Sequence, residues 1–214
     1  MGNTCASIHI AWRGAAEDAS RAISRGYSKL GYKRVKKAPA EGGKHAVMLA
    51  RDGQSYVSVY DSDNAKLDSG ELKDLALAAS KALKTAAVFT SLYDSDTYEF
   101  IVFANGRQVD LLMTDAESYD GPMQQLSEKS RAAKWSSLFG RTLSIDQIRQ
   151  AITKRTAFAD DIVGGLSELI GLRDGQPQMN YQDFLDKEEQ LSAEFYFKKK
   201  PNAPSASPPG DMRC

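Results

Sequence analysis

Between Ser55 and Asp96 the hydrophobic positions change period twice. In 55–60, Val57 and Val59 alternate with Tyr56, Ser58 and Tyr60, and in 87–93, Val88 and Leu92 alternate with Phe89 and Tyr93; a period of two is that of a strand. Between these runs Leu72, Leu75, Ala76, Ala79, Leu83 and Ala86 recur at three- and four-residue steps, one face of a helix. Asp68 followed by Glu71 has the form of a capping box at its start. A connection of that length permits a right-handed crossover, so the pattern predicts two parallel neighbouring strands whose C-terminal ends share one edge. Each strand runs into Tyr-Asp-Ser-Asp, which would gather Asp61, Asp63, Asp94 and Asp96 on that edge.

The same two periods extend the reading in both directions. Ile8, Ile10 and Trp12 mark a strand over 7–13, and Ala16, Ala19, Ile23, Tyr27 and Leu30 mark a helix over 15–30 that Gly31 closes. Strands follow at 32–37, 45–51, 98–103 and 108–113. Asp52-Gly53 and Asn105-Gly106 supply hairpin turns, since both positions of such a turn need positive φ. Two β-α-β-β units offset by 53 residues, plus one strand, therefore cover 7–113. Beyond a polar loop at 115–129, helices are predicted over 130–139, 144–154, 157–170 and 181–191. Ser144 and Gln147 form a capping box, Ile145 and Phe158 turn inward, and Gly164-Gly165 leaves room for a close neighbour. From Lys198 the chain is Pro-, Ser- and Ala-rich, a composition that cannot bury enough apolar surface to order itself. The fold class is α+β: a duplicated β-α-β-β sheet domain over 1–115, a mainly helical section packed on it over 116–197, and a disordered tail over 198–214.

Charge adds polarity to this layout. The 28 basic and 28 acidic residues cancel. Residues 1–50, however, hold nine Lys/Arg against three Asp/Glu, and residues 51–120 hold six against thirteen. Opposite poles suit a protein or small-molecule partner better than nucleic acid, which wants one dominant basic surface. Uneven charge on solvated faces is the plainer explanation. Cys5 and Cys214 form no CxxC and no disulfide framework, which fits a reducing, cytoplasmic setting. No apolar run approaches membrane-spanning length. Met1-Gly2 with Cys5 has part of an acylation pattern, but Ala6 stands where a hydroxyl residue is wanted. Oligomeric state is not encoded in any of these features.

The four aspartates are the sharpest chemical feature. Clustered carboxylates suit Ca²⁺ or Mg²⁺, yet the loop starting at Asp61 is no EF-hand: its fifth, sixth and twelfth positions are Ala65, Lys66 and Leu72. Asp and Ser are also ordinary turn formers. Turn use, a surface for a basic partner and a metal site are thus ranked in that order. Tyr56, Tyr60, Phe89 and Tyr93 could line an apolar cleft on one sheet face, although such a face is more often packed by a helix. His9 and His45 lack any metal-ligand or triad spacing, and neither GxSxG nor a phosphate-binding glycine loop occurs, so no cofactor is called for. Arg21, Arg25 and Lys29, with Lys33, Arg34, Lys36 and Lys37, could meet phosphates, but only Tyr27 and Tyr32 interleave with them.

Three stretches taken together carry a resemblance. They are the Met1-Gly2-x-Thr4 start running into a strand, the acidic turn and aromatic hairpin YDSDTYEFIVFANGRQVD, and the close from Phe158-Ala159 through LIGL to Tyr181. In combination, over roughly residues 1–185, the chain resembles a family of uncharacterised bacterial proteins. The resemblance implies a soluble, single-unit bacterial protein and brings no functional residue with it. The expected function is a non-catalytic binding or regulatory module for a protein or small-ligand partner. Its site would be an acidic sheet edge made of Asp61, Asp63, Asp94 and Asp96 with Tyr60 and Tyr93. The alternatives are a metal-dependent enzyme using the same aspartates and a nucleic-acid binder using the basic helix.

Overall fold

The computed structural model describes residues 4–39, 43–50, 55–62, 70–114, 125–153, 158–172, 178, 181 and 193–200. In chain order its elements are β1 (Cys5–Ala11), α1 (Ala16–Lys29), β2 (Tyr32–Val35), β3 (Gly43–Ala50) and β4 (Tyr56–Asp61). Then come α2 (Gly70–Leu83), β5 (Ala86–Tyr93), β6 (Thr97–Ala104) and β7 (Arg107–Met113). They end with α3 (Glu128–Phe139), α4 (Ile145–Thr153), α5 (Ala159–Ile170) and β8 (Ala193–Lys199). The class is α+β, with one open antiparallel sheet in the order β2-β8-β3-β4-β1-β5-β6-β7.

Helices cover the sheet on both faces, and strand alternation decides which side chains meet which layer. Ile8, Ile10, Val57, Val59, Phe89 and Ile101 pack under α1 and α2, against Ile23, Tyr27, Leu72 and Leu75. Tyr56, Val88, Leu92, Phe100 and Leu112 face the other way, onto Trp135, Phe139, Ile148, Val163 and Leu166 of α3–α5. A buried ion pair ties this second layer down. Arg131 of α3 donates from Nε to Asp110 Oδ2 at 2.6 Å and from Nη2 to Oδ1 at 3.1 Å, and both side chains are buried. Asp110 Oδ1 also accepts from the backbone N–H of Leu111 and Leu126, so the carboxylate is fully engaged. The α4–α5 contact uses Gly165, where an added Cβ would lie 3.7 Å from the Ala151 Cβ. The Ser144–Gln147 capping box forms in both directions at the start of α4.

Several expectations are corrected. The β4 and β5 strands are not neighbours: β1 lies between them, antiparallel to each. They point the same way, but one buried strand separates them. The physical reason lies in β1, whose first six residues are all buried and which has apolar side chains for both layers. The β-α-β-β order does occur twice, but the strands do not occupy equivalent places. In the second unit β5 and β6 pair directly, whereas β8 enters between β2 and β3. The sequence pattern predicts no strand at 193–199. Phe195 and Phe197 alternate with Glu194 and Tyr196, both phenylalanines are fully buried, and Phe197 stacks on Tyr27 at 4.1 Å between ring centroids. Lys198 and Lys199 belong to β8 instead of a disordered tail, and the Lys200 N–H bonds the Gly31 carbonyl at 2.8 Å. Phe158 is 55% exposed and Ile145 38% exposed; neither turns inward. Tyr56 and Tyr60 lie on the α3–α5 face and Phe89 on the α1–α2 face, so these aromatics do not line one cleft. The Asp52-Gly53 turn, Asp68, residues 201–214 and all of the 181–191 helix but Tyr181 lie outside the described residues.

Candidate functional site

Asp61 lies in phase with Val57 and Val59, so its side chain enters the layer under α1 and α2. It is 1% exposed. Tyr27 of α1 donates its hydroxyl to Asp61 Oδ2 at 2.5 Å, and Lys44 Nζ of β3 lies 3.9 Å from the same oxygen. Lys44 Nζ is 2.5 Å from Glu71 Oε2 at the start of α2, and Tyr32 of β2 donates to both Glu71 oxygens at 3.2 and 3.3 Å. Burial alone would push the Lys44 ammonium down, but Asp61 and Glu71 outweigh it and hold the pKa above the usual lysine value. Burial, then Asp61, raises that of the Tyr27 phenol. Lys44 is therefore a fixed cation and Tyr27 a fixed neutral donor. The cluster joins five elements and leaves Asp61 little freedom to bind anything else. The sequence signal for Lys44 is its strand phase, two residues before buried Ala46.

Asp94 and Asp96 have a different fate. Tyr93–Asp96 form the β5–β6 turn, with Asp94 at φ 50° and Ser95 at φ 59°, and the Asp96 N–H returning to the Tyr93 carbonyl at 3.1 Å. Successive positive φ values match the right-handed twist of the flanking strands. The turn is clamped from two sides. The Asp94 N–H donates to Thr4 Oγ1 at 3.2 Å, and the buried Ser95 carbonyl accepts from the Ala159 N–H at 2.7 Å. The second bond brings the start of α5, with exposed Phe158 and the acidic first-turn residues Asp160 and Asp161, against the turn. Tyr93 is 46% exposed, and Asp94 and Asp96 are exposed. Exposed Phe158 and four carboxylates thus flank one hydrogen-bonded junction, while Tyr93, in strand phase with Phe89, leaves β5 on the α1–α2 side.

Of the predicted site residues, Asp94 and Asp96 share this surface, and Tyr93 is exposed on the α1–α2 face of the sheet. Asp61 is in the interior, Tyr60 is fully buried on the opposite sheet face, and Asp63 lies outside the described residues. Among the described residues, no three potential metal ligands of the His, Cys, Asp and Glu types converge. His9 is fully buried, with Nδ1 2.8 Å from Ser58 Oγ and Nε2 2.9 Å from Ser7 Oγ. His45 stacks on Tyr196 and hydrogen-bonds the Tyr181 hydroxyl. The basic residues of α1 and β2 are exposed, and Arg21 pairs with Asp18. Lys33 and Arg34 lie on edge strand β2, where charge also discourages another chain from adding a strand. Cys5 is buried in β1. No helix among the described residues is long and apolar enough to cross a membrane. Compared with protein-family models, curated proteins and solved structures, the chain matches none.

Proposed function

We propose that this chain is a non-catalytic binding module that docks a basic protein segment on the surface formed by Asp94, Asp96, Phe158 and Asp161. The observation that carries the reading is the Ala159–Ser95 backbone bond at 2.7 Å, which holds the acidic turn and the exposed aromatic start of α5 together. A pre-ordered surface loses little entropy when a partner arrives. Accessible aromatic rings are the side chains that anchor protein interfaces, and surrounding charge steers the partner and sets its sign. The twice-used β-α-β-β order serves in this reading as scaffold, with the site at one end of it.

The test is a low-salt capture from lysate of the native host, followed by calorimetry with the purified partner. Bait proteins are the unaltered chain, the Asp94→Asn/Asp96→Asn pair and Phe158→Ser. A lysine- or arginine-rich partner is expected to bind the unaltered chain and to lose about tenfold or more in affinity for each variant. Equal affinity for all three baits, or no stoichiometric partner, would overturn the assignment.

A further inference from the structure

At the far end of β5 from the acidic turn, about 25 Å away along an eight-residue strand, the sheet opens into a cleft of about 420 Å³. Trp12 and Arg13 line it from the β1–α1 connection, Tyr56 from β4, Lys84 from the α2–β5 connection, and Phe139 with Gly140 from the end of α3. Among the described residues, no Asp or Glu lines it.

Its side chains are held in place. The Trp12 indole donates from Nε1 to the Ala15 carbonyl at 2.9 Å and lies so close over Gly14 that a Cβ there would collide with the ring. Arg13 Nε donates to Ser55 Oγ at 3.2 Å, and its Nη2 reaches the Gly140 wall. Lys84 adopts φ 52°, a backbone conformation that costs a lysine energy. Neither Arg13 nor Lys84 has a carboxylate partner within ion-pair distance among the described residues. The cleft also feels positive potential at its floor: burial raises the Tyr56 pKa, while Arg141 and Arg13 pull it the other way. Two cations beside ordered aromatic rings, with no acid in the lining among the described residues, form a receptor for an anion that carries a ring. The volume falls near the lower end of the range for small-molecule sites, room for one ring system and one anionic group.

We infer that this cleft binds a mononucleotide-sized aromatic phosphate, with the phosphate on Arg13 and Lys84 and the base against Trp12. Arginine and lysine both bind phosphate, the former through a planar fork of donors and the latter as a point charge. The site is independent of the acidic surface and stands whether or not that surface has a partner.

Trp12 is one of two tryptophans, and the other, Trp135, is fully buried, so intrinsic fluorescence reports on the cleft. The full chain is titrated with each common ribonucleoside 5′-monophosphate to millimolar concentration, with adenosine and inorganic phosphate as controls. At least one monophosphate is expected to quench saturably, to bind more tightly than either control, and to lose tenfold or more in affinity in Arg13→Gln/Lys84→Asn. Asparagine tolerates the left-handed backbone at 84, so that variant should melt no lower than the unaltered chain. In Trp12→Phe the quench should vanish while calorimetric binding remains measurable. No binding of any monophosphate, or equal affinity in Arg13→Gln/Lys84→Asn, would overturn the inference.

Discussion

His9 is a neutral imidazole by construction. It sits fully buried between Ser7 and Ser58, and burial lowers its pKa to about 3. In the unfolded chain the same group titrates near the usual value of about 6.5. The stabilisation is fully present above that unfolded value and is lost as pH falls from 6.5 towards 3, because unfolding then takes up a proton that the folded state refuses. Urea unfolding at pH 7 and pH 5 should show a loss of about 2 kcal/mol from this group, in a window where most carboxylates are still ionised. The His45 pKa is also lowered by burial and contributes with the same sign. A stability that stays flat over that window would contradict the assignment. Asp61 is the complementary case, a buried group that keeps a charge partner. Its position two residues beyond Val59 already put it in the phase of the buried valines, so the strand period argued for an interior carboxylate. The repeated Tyr-Asp-Ser-Asp describes the backbone that follows and not where the first aspartate points.

At the level of elements, local signals were legible and pairings were not. The Asn105-Gly106 turn appears with φ 52° and 78°, and the Ser144–Gln147 cap forms at the predicted residues, because both depend on groups a few positions apart. The placement of β1 between β4 and β5 depends on which strand can bury both faces, a comparison across the whole chain. Phe158 falls near the apolar stripe of α5, and that spacing predicts burial. It is the N-cap residue, with extended backbone at φ −133°, and its side chain leaves the stripe. The attachment of α3 to β7 yields a direct prediction. Removing the carboxylate in Asp110→Ala leaves the Arg131 guanidinium buried without its ion-pair partner. The expected cost is about 3–5 kcal/mol in equilibrium unfolding. A change below about 1 kcal/mol would show that the helix layer does not depend on the pair.

For the molecule as a whole, the decisive element is β8. Its five-residue core Ala193–Phe197 is short, is flanked by lysines, and lies beside a Pro-rich segment, so its alternation was masked by the composition around it. Yet it hydrogen-bonds β2 on one side and β3 on the other and fills the core with two phenylalanines. A chain ending at Lys200 should melt within a few degrees of the full one. A chain ending at Leu191 should lose its cooperative transition, since truncating even one buried phenylalanine costs about 3–5 kcal/mol. Retention of a cooperative melt by the shorter chain would show that the rest of the sheet closes without its inserted strand.

The same insertion sets a timetable for synthesis. Edge pairing for β3 cannot be completed until residues 193–199 have been translated, and β3 itself ends at Ala50. At about 5–20 residues per second the intervening chain takes roughly 7–30 s to make. Throughout that interval β2 and β3 wait with open backbone edges in a nascent polypeptide, the kind of surface that other chains can template on. A holdase or a fast-forming α1–α2 layer would shorten the exposure. Slow codons introduced before codon 193 should raise the sedimenting fraction of newly made, pulse-labelled protein, through a vulnerability of the half-made chain that the finished sheet conceals.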